Sequence, residues 1–126
     1  MRLLLDTAVL IFAVQAPERM SRLAVEGLSS PENIREVSSI SLTEIAIKVS
    51  LGKLRFTSRM ARQALVDLDL HILPYSADHA FHYFDLPLHH TDPFDRQIIA
   101  QALCEKIAVV TPDDKFGLYD GLEIVW

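Results

Sequence analysis

Short apolar runs alternate with stretches of helical periodicity along the whole chain, and no other feature constrains the fold as strongly. Arg2-Leu3-Leu4-Leu5 reads as a short buried strand ending on Asp6. Val37-Ser38-Ser39-Ile40, His71-Ile72-Leu73-Pro74, Ile107-Ala108-Val109-Val110 and Leu122-Glu123-Ile124-Val125 read as further strands. Ile107–Val110 holds no polar residue, as expected of a strand covered on both faces of a parallel sheet. Between these runs, apolar residues recur at helical spacing. The pattern predicts helices over Thr7–Ala13, about Glu18 to Leu28, Ser41 to Gly52, Ser58 to about Leu70, Ser76 to about Asp85, and Asp92 through Leu103. Pro112 to Phe116 reads as a short helical turn. Such alternation predicts an α/β sandwich around a mostly parallel sheet.

The chain has 126 residues, half of them hydrophobic, enough for one buried core. No repeat, low-complexity tract or linker marks a boundary, so residues 1–126 are read as a single domain. Leu3-Leu4-Leu5 meets Asp6 too early for the apolar region of a signal peptide, and no membrane-spanning segment follows. A cytoplasmic protein is expected, with no membrane partner. Cys104 is the only cysteine, which excludes an intrachain disulfide and fits a reducing compartment. Its apolar helical surroundings favour a buried structural thiol over a nucleophile.

The net charge of −5 argues against a nucleic-acid partner, which a basic surface would attract. Bound divalent cations reverse that argument locally, because they supply the positive charge themselves. The position of the acids therefore decides more than their number. Asp6 ends the first strand. Asp113 lies just past Val110, Glu44 follows the strand Val37–Ile40, and Asp95 falls in the first turn of the helix opened by Asp92-Pro93. In parallel α/β sheets, ligands bind outside the carboxyl ends of the strands. At least three of these carboxylates can meet there. Clustered carboxylates raise one another's pKa, and a hard divalent cation relieves the repulsion. Oxygen-only ligands point to Mg²⁺, with Mn²⁺ as the alternative; no His/Cys set has zinc spacing.

Helix capping explains each later acid almost as well. Ser41-Leu42-Thr43-Glu44 fits a capping box. Asp92-Pro93-Phe94-Asp95 and Thr111-Pro112-Asp113-Asp114 have similar helix-start patterns. Lys48, four residues after Glu44, reads as its surface partner or as a phosphate contact. Arg96 sits where it orients Asp95 or meets substrate. Lys53, Arg55, Arg59 and Arg62 form the main basic stretch, which steers RNA or forms a solvated face. His89 and His90, adjacent in a loop, read as solvated, and His71, His79 and His82 show no pairing.

The segments also resemble, in order, the motifs of PIN-domain ribonucleases. Leu3-Leu4-Leu5-Asp6-Thr7 looks like the first motif and Ser38–Lys48, continued by Leu51-Gly52-Lys53-Leu54, like the second. Leu86-Pro87-Leu88-His89-His90-Thr91-Asp92-Pro93-Phe94-Asp95-Arg96, with Ile99–Ala102, is very similar to the third. Thr111–Phe116 looks like the fourth, and Ile124-Val125-Trp126 fits the close. The subgroup it looks like is the VapC-type toxin of bacterial toxin–antitoxin pairs.

That resemblance implies a PIN-like three-layer α/β/α sandwich. It maps Asp6, Glu44, Asp95 and Asp113 onto the family's metal-binding acids and Thr111 onto the hydroxyl residue that supports them. Asp95 is preferred over Asp92, which reads as the N-cap; Asp114 is the neighbour most easily confused with Asp113. It further implies endonucleolytic hydrolysis of RNA by a metal-activated water, leaving a 5′-phosphate and a 3′-hydroxyl. The partners it implies are the RNA substrate, a cognate antitoxin and a second copy in a homodimer. Part of the surplus apolar surface of Val9–Val14 and Met20–Leu28 would serve the protein contacts, with core packing the alternative residue by residue. Ala8 and Thr43 depart from the family pattern, where larger residues are common, and put substrate contacts rather than ligands in question. A solitary housekeeping PIN nuclease, a non-catalytic PIN binding module and a receiver-type phosphoacceptor domain are the competing readings. The receiver fold wants an acidic pair after its first strand, where this chain offers only Asp6.

Overall fold

The computed structural model describes residues Met1–Trp126. Five strands form one sheet: β1 (Arg2–Leu5), β2 (Ile34–Ser38), β3 (Leu70–Leu73), β4 (Ala108–Val110) and β5 (Ile124–Val125). Their order is β3-β2-β1-β4-β5, and every pairing is parallel. Six helices pack around it: α1 (Thr7–Gln15), α2 (Arg22–Ser29), α3 (Ser39–Ser50), α4 (Ser58–Asp67), α5 (Ala77–Phe84) and α6 (Pro93–Glu105). The α/β sandwich expected from the alternation, with the three layers that the resemblance implies, is the observed architecture.

Two apolar clusters lie on opposite faces of the sheet. Leu3, Leu5, Val37 and Val110 join Val9, Leu10, Ile45 and Phe56 in one. Leu4 and Val109 join Ile98, Ile99, Ala102, Phe116 and Tyr119 in the other. Adjacent strand residues point to opposite faces, so Leu4 and its neighbours enter different clusters. Burial on both faces explains why Leu3–Leu5 of β1 and all of β4 are apolar.

The strand order makes β1 central. The chain moves outward through β2 and β3, then returns to the other side of β1 for β4 and β5. The direction of travel reverses between β1 and β4. That reversal opens a crevice at the carboxyl edge of the sheet, where open α/β sheets bind ligands.

Several boundaries differ from the sequence reading. β2 ends at Ser38, not Ile40, and Ser38 rather than Ser41 caps α3 by accepting from the Ile40 N–H at 3.0 Å. Ser41 is buried in the first turn of the helix, where the Thr7 hydroxyl donates to its Oγ at 2.8 Å. The helix expected over Glu18–Leu28 is split into a 3₁₀ turn, Pro17–Arg19, and α2, which Ser21 caps through the Ala24 N–H. α4 stops at Asp67, because Leu70 has already entered β3. Gly52 follows α3 with φ of 71°, a conformation glycine adopts freely. Cys104 is half-buried and unpaired. No helix is long and apolar enough to cross a membrane.

Candidate metal centre

Asp6 extends β1 by one residue: its N–H donates to the Val110 carbonyl at 3.0 Å. This ladder bond fixes the backbone, and α1 begins at the next residue. The carboxylate is thereby held at the crevice, with only 5% of the residue exposed. The Thr111 hydroxyl donates to Asp6 Oδ2 at 2.8 Å and accepts from the Asp113 N–H at 3.1 Å. Thr111 thus bridges the two acid-bearing segments on β1 and β4. Burial pushes the Asp6 carboxyl up to about 6, against the opposing hydrogen bond from Thr111; Glu44 and Asp113 add to the rise.

Glu44 comes from the second turn of α3. Because that helix starts at Ser39, Glu44 lies too deep to reach back to the N-cap, and the capping-box explanation fails. Its side chain is buried, with Oε2 2.9 Å from Lys48 Nζ. Oε1 is buried with no hydrogen-bond partner. Lys48 is partly exposed at the rim, and its ammonium is raised by the Glu44 bond and by the nearby charges of Asp92 and Asp95.

Asp95 is the third residue of α6. Asp92 caps the helix instead, with one oxygen accepting from the Phe94 and Asp95 N–H groups at 2.9 and 3.0 Å. Pro93 takes the first helical position, where its missing N–H costs nothing. The local pattern therefore assigns capping to Asp92 and leaves the Asp95 carboxylate for other use. Burial, then the charges of Asp6, Asp92, Glu44 and Asp113, push the Asp95 carboxyl up to about 8. Asp113 opens a 3₁₀ turn, Asp114–Leu118, accepting from the Lys115 N–H through Oδ1. Asp114 is exposed and is absent from the cavity wall.

Asp6, Glu44, Asp95 and Asp113 line one cavity of about 340 Å³, with Lys48 and Asp92 at its walls and Phe12 on an apolar side. The structure thus brings together the acids expected from the sequence. Two of them are pushed up, first by burial and then by their acidic neighbours, and a third presents a buried oxygen without a donor. A hard divalent cation meets each of these conditions, and the donor set is all oxygen.

Arg96 lies elsewhere. Its guanidinium is buried and donates to the Pro87 and His90 carbonyls and to the Tyr83 and Tyr119 hydroxyls; none of these bonds reaches Asp95. It fixes the loop before α6. The two adjacent histidines also separate. His89 is exposed, edge-on to Tyr119, whereas His90 is buried, its imidazole held low by burial. His90 Nε2 lies 3.7 Å from Asp95 Oδ2. Sequence reasoning missed this residue because its burial depends on Tyr119, a partner 29 positions away. His79, expected to be unpaired, accepts from the Ser76 N–H through Nδ1 and pairs with Glu105 through Nε2.

An acid-lined crevice at the carboxyl edge of a five-stranded parallel sheet defines a class of α/β protein whose ligand site is rich in carboxylates. Within that class, the PIN domain family model matches residues 3–122, and this chain belongs to the PIN domain family. A comparison with curated protein sequences finds no match. Among solved structures, the chain is similar to VapBC2 from Rickettsia felis bound to a promoter DNA fragment. The TM-score is 0.74 at 23% identity, covering 98% of this chain and 97% of that one. DNA-bound VapBC from Salmonella typhimurium gives 0.68 at 22% identity, covering 98% and 96%. VapBC-5 from Mycobacterium tuberculosis gives 0.62 at 23% identity, covering 98% and 97%.

Proposed function

We propose that this chain is a Mg²⁺-dependent endoribonuclease, the VapC-type toxin of a toxin–antitoxin pair. One observation carries the reading: carboxylates from four separate segments converge at the sheet edge, and Glu44 keeps a buried oxygen with no partner. A structural cluster of acids would be paired with cations or hydrogen bonds. Here Lys48 is the one lysine or arginine paired with the ring, and although Asp6 accepts from Thr111, Glu44 Oε1 stays without a donor.

Asp6, Asp95 and Glu44 would hold the cation, with Asp113 completing the set or orienting water. When bound, the cation lowers the pKa of a ligand water and neutralises charge on the phosphodiester. Thr111 keeps Asp6 turned into the site. Asp92 fixes the first turn of α6 and so the height of Asp95. Lys48, at the rim, is placed to meet a phosphate of the substrate. A bound cation would offset the ring's negative charge locally, which answers the objection that an acidic protein repels RNA.

The partner reading rests on the apolar surface of α1 and α2. A groove of about 420 Å³ runs between Ala13, Pro17, Met20, Val25 and Leu28 on one side and Leu68 on the other. Leu23 and Val25 remain exposed. An antitoxin segment or the second copy of a homodimer would cover this surface, and the solved neighbours are toxin–antitoxin complexes. We read the whole chain as one PIN domain acting in the cytoplasm.

The test is cleavage of total cellular RNA by the wild type and Asp6→Asn, with Mg²⁺ or with EDTA. Wild type with Mg²⁺ is expected to produce discrete fragments with 5′-phosphate ends, and Asp6→Asn to lose at least 100-fold in rate (about 2.7 kcal/mol of barrier) while staying folded by circular dichroism. Equal cleavage by both proteins, or cleavage unaffected by EDTA, contradicts the proposal.

A further inference from the structure

We propose that His90 is a positioning residue for the cation site: its Nε2–H, locked by Tyr119 and Arg96, steadies Asp95 Oδ2 and leaves the other Asp95 oxygen to the ion. This inference rests on the reading of the acid ring as a cation site. It concerns a side chain outside that ring.

Arg96 carries a guanidinium, which can only donate. Its Nη1 donates to the Tyr119 hydroxyl oxygen at 3.2 Å, and to the His90 carbonyl at 3.4 Å. The Tyr119 oxygen is thus an acceptor for Arg96, and its own O–H is free to donate. His90 Nδ1 lies 2.8 Å from that oxygen. A neutral imidazole that accepts at Nδ1 carries its proton on Nε2. The chain of donors therefore runs Arg96, Tyr119, His90, and ends at an N–H.

That N–H has nowhere to go except the acid site. The His90 side chain is 5% exposed, and Nε2 is buried with no hydrogen-bond partner. The atom facing it is Asp95 Oδ2, 3.7 Å away, and a carboxylate oxygen of Asp113 belongs to the same group within 4.8 Å. A separation of 3.7 Å is longer than a hydrogen bond. A small rotation of Asp95 toward an ion closes it. With an ion bound and Asp95 ionised, the opposite tautomer would aim a lone pair at a carboxylate, and in any state of Asp95 it leaves the Tyr119 hydrogen without an acceptor.

The arrangement also links the two segments that carry Asp95 and Asp113. His90 and Arg96 flank the start of α6, while Tyr119 closes the 3₁₀ turn that Asp113 opens. Carboxylate ligands are commonly held by a second hydrogen bond, and removing such partners typically costs 10–100-fold in metal affinity.

The experiment is calorimetric titration of Mn²⁺ into the metal-free full-length protein, using wild type, His90→Ala, His90→Gln and Tyr119→Phe. Folding is checked by urea midpoint, and the Mn²⁺-loaded proteins are examined by pulsed electron paramagnetic resonance. His90→Ala is expected to bind about 10–100-fold more weakly. His90→Gln, whose amide N–H reaches the same place, is expected to recover most of the loss. Tyr119→Phe, which frees the His90 proton to leave Nε2, is expected to weaken binding as well. No ¹⁴N nucleus should be directly coordinated to Mn²⁺.

Affinity equal to wild type in a folded His90→Ala overturns the inference. Should His90→Ala fail to fold, unchanged affinity in Tyr119→Phe overturns it instead. Directly coordinated nitrogen also overturns it, by making His90 a ligand. Absence of any Mn²⁺ binding by the wild type overturns the cation-site reading, and this inference with it.

Discussion

Glu44 shows how a single residue separates the competing explanations. In the sequence it fits a capping box with Ser41, and nothing local prefers catalysis. The fold moves the helix start to Ser39, which removes the capping role and leaves a buried carboxylate with one idle oxygen. Asp95 is the complementary case, because Asp92 takes the cap and Asp95 is driven up to about 8 by burial and by its acidic neighbours. Its folded pKa lies above the unfolded value. The protonated form therefore favours the folded state, fully so below about pH 4. As pH rises toward 8, the unfolded chain releases a proton that the folded chain retains, and stability falls. Asp6, at about 6, acts in the same direction over a narrower window. In EDTA, the wild type is expected to lose thermal stability steadily between pH 5 and pH 8. Asp95→Asn should flatten most of that slope and raise the melting temperature at pH 8 by about 3–6 °C. Scanning calorimetry across the pH range checks this. A wild type that grows more stable over the same range rules out mutual repulsion as the property of the site.

At the scale of elements, the sequence was read best where chemistry is local. Asp92-Pro93 announces the start of α6 through a cap and a proline at the first position, and the structure has both. Both oxygens of Asp92 need not be used, since Oδ1 alone accepts from two N–H groups. Asp92→Ala is expected to be about 1 kcal/mol less stable than Asp92→Ser. Both variants lose the charge, and only serine keeps an acceptor, so urea midpoints of the pair isolate the cap. Equal midpoints would show that the cap contributes nothing measurable. Three serines at positions 38, 39 and 41 each suit a helix start, and propensity alone does not choose among them. Tertiary contacts choose: Ser38 is fully buried at the strand end, and Ser41 is claimed by Thr7. The split before α2 was equally hidden, because Glu18 and Ser21 both open plausible helices.

At the scale of the whole molecule, alternation in the sequence specified a parallel sheet but not its order. The position of β1 at the centre, with the chain reversing between β1 and β4, is set by packing of both faces and places Asp6 beside Thr111 and Asp113. The acid ring was legible because its members sit at strand ends and helix starts, which periodicity locates. The Arg96–Tyr119–His90 chain was not, because it joins residues with no shared local pattern. Residue, element and sheet order converge on the carboxyl edge of the sheet as the proposed cation site. The most direct test is anomalous diffraction from crystals of the full chain soaked in Mn²⁺. The account predicts a peak within coordination distance of Asp6, Glu44 and Asp95, and loss of that peak in Asp6→Asn. No peak in the crevice, or a peak only at some other group of acids, contradicts it.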